Sequence, residues 1–568
     1  MALSNVKIER RKRWDKPFAE DWQDEQLEQI LKLPIFAAME EDKFPNNLPL
    51  RGILRNDTRV VHYDPGDIVV REDDYGSSAY VIVSGEVSVV LPPGLPAHLL
   101  GRAESTGPEG WLKAFLRVFN RSDYRETRDY VQKDLEIIAG LHVEHGVARV
   151  RLQDHEKVLS DCTLFPIGEG ELIGEVAALT RSPRTATMVV TKPSVLLEIR
   201  WQGFRDLRKF DDAFRERIDN IYRERNRVSY LKALPYFSSL DEPTVERLAE
   251  HALLESYGDL EWKADRKAGS NTVPDEPVIV AQNDYVDGLL IVLNGSARIV
   301  GKFHQGKQTV GFLRAGDFFG MSEIVAEHCD PQHEAHIVHD YSLTAIGHAD
   351  VLRIPTDLVE SELLSNLSDE EIERLQRDCA YPSMSMDPGL MEFFGQHHYT
   401  NGRSTMVIDT ARCVRCDECV TACARNHDNN PRFIRHGRHF ANLMVTTACM
   451  HCVDPVCMVG CPTGAISRRV DGEVVINDET CIGCSTCANS CPYDNIRMVE
   501  IKNKSGNLAV DQQTNKPIVK ATKCDLCVDN LGGPACVRAC PHDAMMRIDL
   551  TDAESLADLL ARTTNFDS

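Results

Sequence analysis

Short apolar runs separated by polar turns fill the first two thirds of the chain, and the same order of runs occurs twice. YVIVSGEVSVV at 80–90 matches LLIVLNGSARIV at 289–300, and LIGEVAAL at 172–179 matches FFGMSEIV at 318–325. Runs of β-branched residues interrupted by glycine predict a strand, a turn and a second strand. Because the runs recur in the same order, they indicate two copies of one mostly β domain.

The apolar pattern changes its period between the two copies. Leu207, Phe210, Phe214, Ile218 and Ile221 recur at three- and four-residue spacing, which predicts an amphipathic helix that links the copies. The first copy also contains an insertion, with the short amphipathic stretch WLKAFLRVF inside it. We therefore predict an N-terminal extension at 1–30, a first β domain at 31–225 with the insertion at about 95–155, and a second β domain at 226–375.

Beyond the β domains the pattern becomes dominated by cysteine. A linker with a Pro388–Gly389 turn signal is predicted at 376–400, a cysteine-rich domain at 401–550, and a tail at 551–568 that forms a helix from Thr551. Sixteen of the nineteen cysteines fall in this domain, in four groups of four. The groups are Cys413, Cys416, Cys419 and Cys423; Cys449, Cys452, Cys457 and Cys461; Cys481, Cys484, Cys487 and Cys491; Cys524, Cys527, Cys536 and Cys540.

The spacing within each group is that of a ferredoxin. Three closely spaced cysteines and a fourth beyond them, usually followed by proline, are typical of [4Fe-4S] sites. Pro462, Pro492 and Pro541 follow their cysteines and are expected to end a short helix there, because proline lacks the N–H group. Each iron of a cubane takes one thiolate, so sixteen cysteines predict four [4Fe-4S] clusters.

Other uses of these cysteines fit the pattern less well. A disulfide framework needs an oxidising compartment, and a zinc site uses pairs of CxxC rather than triplets with a trailing cysteine. His451 lies inside the second group, where we expect a structural or hydrogen-bonding role because the thiolate count is already complete. Cys162, Cys329 and Cys379 fall in no metal-binding pattern and are interpreted as ordinary thiols.

Charge narrows the classes of partner. The net charge is −23 and the pI about 5.3, which argues against nucleic acid and anionic membrane surfaces. No window reaches the eighteen apolar residues that span a bilayer, and the arginines near the N-terminus lack the apolar stretch of a twin-arginine signal. With so many free thiols, we expect a reducing, cytoplasmic location.

The first β domain resembles the cyclic nucleotide-binding domains of catabolite activator proteins and kinase regulatory subunits, in HYDPGDIVVREDDYGSSAYVIVSGEVSVV (62–90) and GEVAALTRSPRTATMVV (174–190). The second stretch looks like the family's phosphate-binding cassette. Arg184 supplies a cation for two phosphate oxygens, and the helix that opens at Gly174 aims N–H groups at the anion. The resemblance implies that Glu175 accepts from the ribose 2′-hydroxyl, Ala177 allows close approach, and Thr185 contacts the phosphate or a guanine. Cyclic AMP or cyclic GMP is the implied ligand.

The second β domain departs from this pattern. Its cassette keeps Gly320, but the nearest glutamate, Glu323, is displaced by two positions. Counting back from the shared strand places the arginine position near His339 or Asp340. Without the arginine a phosphate loses its main counter-charge, so we expect this copy not to bind a cyclic nucleotide.

The cysteine-rich domain resembles the iron–sulfur subunits of the molybdopterin oxidoreductase class, those of formate dehydrogenase, nitrate reductase and dimethyl sulfoxide reductase. The shared stretches are GRSTMVIDTARC, HCVDPVCMVGCPTGAI, CIGCSTCANSCPYDNI and KCDLC with GGPACVRACPHDA. The resemblance implies a crossed pairing in which the fourth cysteine of each group joins the first three of another. The implied sets are Cys413, Cys416, Cys419 and Cys540; Cys524, Cys527, Cys536 and Cys423; Cys449, Cys452, Cys457 and Cys491; Cys481, Cys484, Cys487 and Cys461.

Together these features predict a multidomain α+β chain with two β-roll domains and flanking helices, followed by a double two-cluster ferredoxin-like domain. The resemblance implies an electron-transfer subunit with no substrate site of its own. It would carry electrons between a flavin- or molybdopterin-type catalytic subunit and a second redox partner in a hetero-oligomer. A nucleotide in the first β domain would regulate it; alternatively, both β domains are only a docking or oligomerisation scaffold.

Two further classes are disfavoured by missing motifs. A redox-sensing transcription factor is disfavoured because no helix-turn-helix follows either β domain and the net charge is strongly negative. A self-contained enzyme is disfavoured because the sequence contains neither a GxGxxG fingerprint nor a Walker motif.

Overall fold

A computed structural model gives the fold of the chain from Val6 to Leu550. It describes these residues except 20–23, 73, 91–93, 97–98, 101–140, 145–146, 161, 181–182, 235, 238–239, 259–275, 304–305, 330–336, 380–387, 428, 470–471, 503–506, 528–529 and 531. The amphipathic stretch predicted in the insertion and the tail helix predicted from Thr551 lie outside the described residues. No helix among the described residues is long and apolar enough to cross a bilayer.

The first β domain is an antiparallel roll built around two long strands. Ser78–Val90 pairs with Thr187–Arg200, with Val81 opposite Leu197, and both residues are buried completely. Alternate side chains along these strands point inward and form the core of the roll. The remaining strands of this sheet are Thr58–Tyr63, Ile68–Val70, Leu164–Ile167 and Leu172–Ile173.

The second β domain repeats this arrangement. Gly288–Phe303 pairs antiparallel with Ser342–Pro355, and Ile291 lies opposite Leu352 in the register. The turns predicted inside the two apolar runs were wrong: Gly85 and Gly295, with φ of 94° and 79°, lie at register shifts within continuous strands, because a bulge accommodates the glycine without ending the strand. In both domains a helix follows the short strand that ends at the cassette glycine: Glu175–Thr180 in the first and Met321–Cys329 in the second. The other strands of the second sheet are Leu253–Gly258, Val278–Val280, Gly306–Arg314 and Phe318–Phe319.

Two helices, rather than the predicted single one, connect the β domains. Trp201–Phe210 ends at Asp211, and Asp212–Ala233 begins there. The Asp211 carboxylate accepts the Phe214 amide hydrogen at 2.7 Å, so it caps the second helix and interrupts the first. The apolar spacing of 207–221 continues through this break because both helices bury their apolar side chains in the same core.

Shorter helices surround both rolls. Before and within the first they are Asp24–Leu31, Pro34–Ala37, the 3-10 turn Glu41–Lys43, Leu50–Asp57 and His155–Ser160. Around the second they are Glu242–His251, Thr356–Leu358, the π-helical Val359–Leu363, the 3-10 turn Leu364–Asn366 and Asp369–Asp378. A hairpin, Leu141–Glu144 with Val147–Val150, lies in the described end of the insertion.

The segment 376–400, predicted as a linker, contains a helix that packs on the second β domain. This helix is Pro388–Gln396, and its Glu392 accepts the Thr309 hydroxyl hydrogen at 2.8 Å. A 3-10 turn, Tyr399–Asn401, follows it. The pattern did not reveal the helix because its Pro388–Gly389 start is also typical of a turn, whereas proline is favoured in the first turn of a helix.

The cysteine-rich domain combines short strands with four short helices. Each helix contains the third cysteine of one group: Glu418–Asn426, Val456–Val459, Thr486–Ser490 and Ala535–Arg538. The last three stop before the cysteine–proline pairs, as the proline pattern predicts, whereas the first has Ala424 after Cys423 and continues to Asn426. The main sheet has the order Ile434–Phe440, Leu443–Thr447, Ser404–Asp409, Met545–Asp549. Further pairs are Ile466–Arg468 with Val474–Ile476, and Arg497–Glu500 with Val519–Thr522.

Both β domains and the N-terminal extension contact the cysteine-rich domain. Val6–Ile8 pairs in parallel with Ala509–Asp511, a strand between the third and fourth cysteine groups. From the first β domain, Arg205 donates to the carbonyl of Val459. From the second, Arg314 donates to the carbonyl of Leu550 at 3.0 Å. The cysteine-rich domain is therefore in contact with both β domains.

Candidate iron–sulfur and nucleotide sites

Four cysteines from two different groups surround one cavity in the cysteine-rich domain. They are Cys449, Cys452 and Cys457 of the second group and Cys491 of the third. The Cys452 thiol lies close enough to the other three to interact with each of them electrostatically. The rest of the wall includes Met450, Val456, Val474 and Tyr493, and none of the described residues that line it offers a carboxylate or an imidazole. The four sulfurs are the donor set that a cubane requires.

A second cavity repeats this arrangement with the groups exchanged. Its wall contains Cys481, Cys484 and Cys487 of the third group together with Cys461 of the second, among apolar residues such as Ile466 and Ile476. Cys487 interacts electrostatically with the other three thiols. The fourth cysteine of each group therefore lies with the first three of the other group, in the crossed arrangement that the resemblance implies.

The first and fourth groups are also interleaved. Cys536 lies near Cys423 and Cys527, and Cys524 lies near Cys536. Cys413 and Cys419 are neighbours, and Cys540 packs with them in the same apolar cluster, while Cys416 is exposed. The geometry thus groups Cys423 with three cysteines more than one hundred positions further along the chain.

Neighbouring cysteines link the four sets in a series. Cys419 is a neighbour of Cys536, Cys449 of Cys524, and Cys457 of Cys487. Each of these contacts joins one set to the next. The first and last sets in the series include the exposed cysteines, Cys416 and Cys484, whereas Cys449 and Cys524 in the middle are buried.

The backbone of the cysteine loops is turned towards the sulfurs. Arg415, His451, Ser485 and Leu526 have left-handed conformations, with φ of 62°, 47°, 68° and 54°. This conformation is uncommon for residues other than glycine, and here it curls each loop. Two of the amides donate to sulfur: His451 to Cys449 at 3.5 Å and Leu526 to Cys524 at 3.4 Å. Hydrogen bonds of this kind stabilise negative charge on a thiolate.

Burial makes these thiols hard to ionise unless a cation is bound. It raises the pKa of Cys452, Cys457 and Cys524 well above the usual thiol value. It raises the pKa of Cys419 to about 11 and that of Cys536 to about 12. Metal ligands must be thiolates, so bound iron supplies the positive charge that offsets desolvation. The donor sets therefore fit [4Fe-4S] clusters.

A buried lysine lies between two of the cysteine sets. The Lys523 ammonium donates to Cys449 Sγ at 3.2 Å and to the carbonyls of Cys524 and Val474. Burial acts to lower the pKa of Lys523, but the adjacent thiolates, first that of Cys449, raise it above its ordinary value. The sequence reasoning missed this residue, although a lysine directly before Cys524 is a visible signal.

Two histidines lie beside the sulfurs. His451 is buried, and its Nδ1 accepts the Val474 amide hydrogen at 3.1 Å, a hydrogen-bonding role of the kind we expected. Burial lowers its pKa well below the usual value, which keeps the ring neutral. His427 has its Nε2 3.8 Å from Cys527 Sγ and 3.5 Å from an Asp525 oxygen. Sequence reasoning did not single out His427, which lies four residues beyond its cysteine group.

In the first β domain, Arg184 lies at the centre of the predicted phosphate cassette. Its guanidinium is buried and donates to the carbonyls of Gly174 and Ser78, both at 2.6 Å. A Cβ at Gly174, whose φ is +73°, would lie 2.4 Å from this guanidinium, so glycine is required there. A phosphate at this position would compete with the two carbonyls for the N–H donors of the Arg184 guanidinium.

The other predicted nucleotide contacts lie at different depths. Glu175 and Ala177 are buried in the cassette, whereas Thr185 is exposed. Ala177 also lines a cavity between the two domains, together with Tyr75, Gly76, Ser77, Ala178 and Trp201 of its own domain and Met458 and Arg468 of the cysteine-rich domain. The cassette thus adjoins the cysteine-rich domain directly.

In the second β domain, His339 takes the position of Arg184. The His339 amide donates to the carbonyl of Asp284 at 2.9 Å, as the Arg184 amide does to Asp74. The His339 ring is stacked on Phe319, with centroids 5.1 Å apart, and its Nδ1 lies 3.8 Å from Glu323. An imidazole enclosed in this way replaces the guanidinium, and the lack of cyclic nucleotide binding by this copy stays a prediction.

Comparison with known proteins identifies both parts of the chain. A model of the 4Fe-4S dicluster domain matches residues 440–550, a range that includes three of the four cysteine groups. Electron transport protein HydN of Escherichia coli is 35% identical over an alignment of 174 residues, and the match covers 28% of this chain and 95% of HydN. The chain belongs to the 4Fe-4S dicluster family of electron-transport proteins. Formate hydrogenlyase subunit 2 of Escherichia coli is 30% identical over 178 residues, and the match covers 26% of this chain and 82% of that protein.

The iron–sulfur protein also carries a second family signature. A model of the cyclic nucleotide-binding domain matches residues 141–210 and 271–366, one segment in each β domain. A solved structure of the regulatory domain of Toxoplasma gondii PKA with cAMP is 17% identical and covers 63% of this chain and 98% of that one, with a TM-score of 0.21. From the matched family models, the chain is an iron–sulfur electron-transfer protein with β-rolls of the cyclic nucleotide-binding type.

Proposed function

We propose that this chain is a four-cluster electron-transfer subunit that connects two partners of an oxidoreductase complex. The observation that carries the proposal is the series of four neighbouring cysteine sets with an exposed cysteine in the first set and in the last. When bound, each [4Fe-4S] cluster supplies a one-electron carrier. The sixteen cysteines hold these carriers, and the eight cysteines of the two inner sets are all buried or half-buried.

The two ends of the series are the proposed partner contacts. Val414, next to the first set, is 59% exposed beside the exposed Cys416. At the other end, Cys484 is exposed in the loop before Thr486–Ser490. A catalytic subunit of flavin or molybdopterin type and a second redox partner would dock at these ends, in a hetero-oligomer. Sixteen cysteines that must stay unpaired with one another favour a reducing compartment, so we propose a cytoplasmic complex.

The first β domain is proposed to bind a cyclic nucleotide that regulates this subunit. Three features of the cassette support this part of the proposal. Arg184 and Glu175 are buried, and the Arg184 guanidinium leaves no room for a side chain at Gly174. A ligand shifts a conformational equilibrium only if it binds one state better than the other. Here the bound state is the one in which Arg184 exchanges its carbonyl partners for phosphate oxygens.

A scaffold role for the β domains is the alternative. It is favoured by the second copy, in which His339 replaces the cassette arginine, and by the contacts of both copies with the cysteine-rich domain. In that case the domains hold the cluster carrier in place without a ligand. Titration with a nucleotide separates the two roles.

Chemical analysis tests the number of clusters. Protein purified without oxygen is expected to contain about sixteen iron atoms and about sixteen acid-labile sulfides per chain, from four cubanes. Iron and sulfide are measured on the same sample, with protein determined by amino-acid analysis. About eight of each would mean that only two clusters are present and would contradict the four-cluster proposal.

A further inference from the structure

Tyr75, in the loop before the strand Ser78–Val90, bridges the nucleotide cassette and one of the cysteine sets. On one side of it, Gly76 lies against the Arg184 guanidinium: a Cβ at this glycine would be 2.2 Å from Arg184 Nε. On the other side, the Tyr75 ring lies under the guanidinium of Arg468, which belongs to the cysteine-rich domain, at 4.4 Å from ring centroid to guanidinium carbon. Stacking of this kind stabilises the position of both side chains.

Arg468 continues the contact to a proposed cluster ligand. Its guanidinium donates to the carbonyl of Cys452 and, at 2.8 Å, to that of Val453. Cys452 is one of the four thiols around the cavity with Cys449, Cys457 and Cys491. Arg468 is therefore a cation held beside this set, and Tyr75 contacts it from the first β domain.

We propose that Tyr75 and Arg468 couple nucleotide binding in the first β domain to the reduction potential of the cluster held by Cys449, Cys452, Cys457 and Cys491. This inference rests on the proposed function, and it adds which cluster is regulated and by which contact. Arg468 acts as a positioning residue: it contacts the loop that carries a ligand. Nearby charge and hydrogen bonds are among the factors that set cluster potentials.

The direction of the effect follows from the contacts. A phosphate draws Arg184 away from the carbonyls of Ser78 and Gly174, and the loop around Gly76 and Tyr75 moves with it. Arg468 then loses its ring contact and is held less firmly beside the carbonyl of Cys452. A cation next to a cluster favours the reduced state, so its loosening lowers the potential. The nucleotide consequently binds the oxidised protein more tightly than the reduced protein.

Linkage gives a test that does not depend on electron-transfer activity. The factor by which reduction weakens nucleotide binding equals the factor by which the nucleotide shifts the one-electron equilibrium. Calorimetric titration with cyclic AMP and cyclic GMP is performed on the oxidised and on the dithionite-reduced protein. We expect about a tenfold higher Kd for the reduced protein, which corresponds to about 59 mV in potential for one electron.

Two variants test whether the contact between Tyr75 and Arg468 carries the coupling. In Tyr75→Leu, the two redox states should bind the nucleotide with equal Kd, whatever its absolute value, because the contact with Arg468 is lost. Tyr285 is the matched control: it bridges to Val338 in the second β domain as Tyr75 does to Pro183, and it is 67% exposed. Tyr285→Leu should keep the full difference between the redox states.

The outcomes separate this inference from the function on which it rests. Nucleotide binding with equal or reversed preference for the redox states would overturn the coupling and leave the nucleotide site intact. If Tyr75→Leu shows the same difference in Kd between the oxidised and reduced states as the unmodified protein, the contact between Tyr75 and Arg468 does not carry the coupling. Absence of binding to either nucleotide would overturn both the coupling and the regulatory part of the proposed function, while four intact clusters would leave the electron-transfer part unaffected.

Discussion

Replacing Arg184 with alanine is expected to weaken cyclic nucleotide binding by about 100-fold or more. The guanidinium is the main cation in the cassette, and two charge-assisted hydrogen bonds to phosphate are worth about 3 kcal/mol or more. Calorimetric titration of the anaerobic protein with cyclic AMP and with cyclic GMP measures the effect. The affinity of Arg184→Lys should lie between those of the unmodified protein and of Arg184→Ala, because lysine keeps the charge but lacks the planar pair of donors.

The second β domain provides the matched control for this variant. His339 occupies the position of Arg184, so His339→Ala should leave the affinity for the nucleotide unchanged. The iron content of all three variants should equal that of the unmodified protein, since neither residue belongs to a cysteine set. Nucleotide binding that survives in Arg184→Ala would contradict the assignment of the phosphate site.

Removing Cys457 and Cys491 together is expected to cost the same single cluster as removing either one. Both thiols line the same cavity, although they belong to different groups in the sequence. Each single alanine variant, and the double variant, should therefore retain about twelve iron atoms per chain out of about sixteen. If Cys491 instead served the cluster of Cys481, Cys484 and Cys487, the double variant would retain about eight.

Cys329→Ala is the control for these variants. Cys329 is an exposed thiol in the second β domain, outside the cysteine sets, so its removal should leave about sixteen iron atoms. Iron analysis of the four proteins, purified in parallel without oxygen, gives the comparison. A double variant with about eight iron atoms would contradict the crossed pairing.

The repeated β-rolls and the cysteine helices could be predicted because their signals are local. The apolar runs mark the long strands Ser78–Val90 and Gly288–Phe303, although each strand continues through the glycine at which a turn was predicted. Proline after Cys461 and Cys491 limits the preceding helices. The position of His339 could also be anticipated by counting along the repeat. In each case, the residues that determine the structure lie within one repeat unit or one cysteine group.

The contacts between domains could not be predicted from the sequence. Val6–Ile8 pairs with Ala509–Asp511 about five hundred positions away, and a three-residue strand has no periodicity to detect. The stacking of Arg468 on Tyr75 depends on how two folded domains meet, for which neither side chain gives a local signal. The helix Pro388–Gln396 was obscured by its own first two residues, which are typical of turns as well as of helix starts.

Counting the electrons that the chain accepts tests the central claim most directly. Anaerobic protein is titrated with dithionite while the loss of visible iron–sulfur absorbance is followed, and the equivalents consumed are compared with the protein concentration. A four-cluster carrier should accept about four electrons per chain, one for each cluster. Uptake of only about two electrons by protein with its full iron content would contradict a continuous series of four clusters between the exposed ends at Cys416 and Cys484.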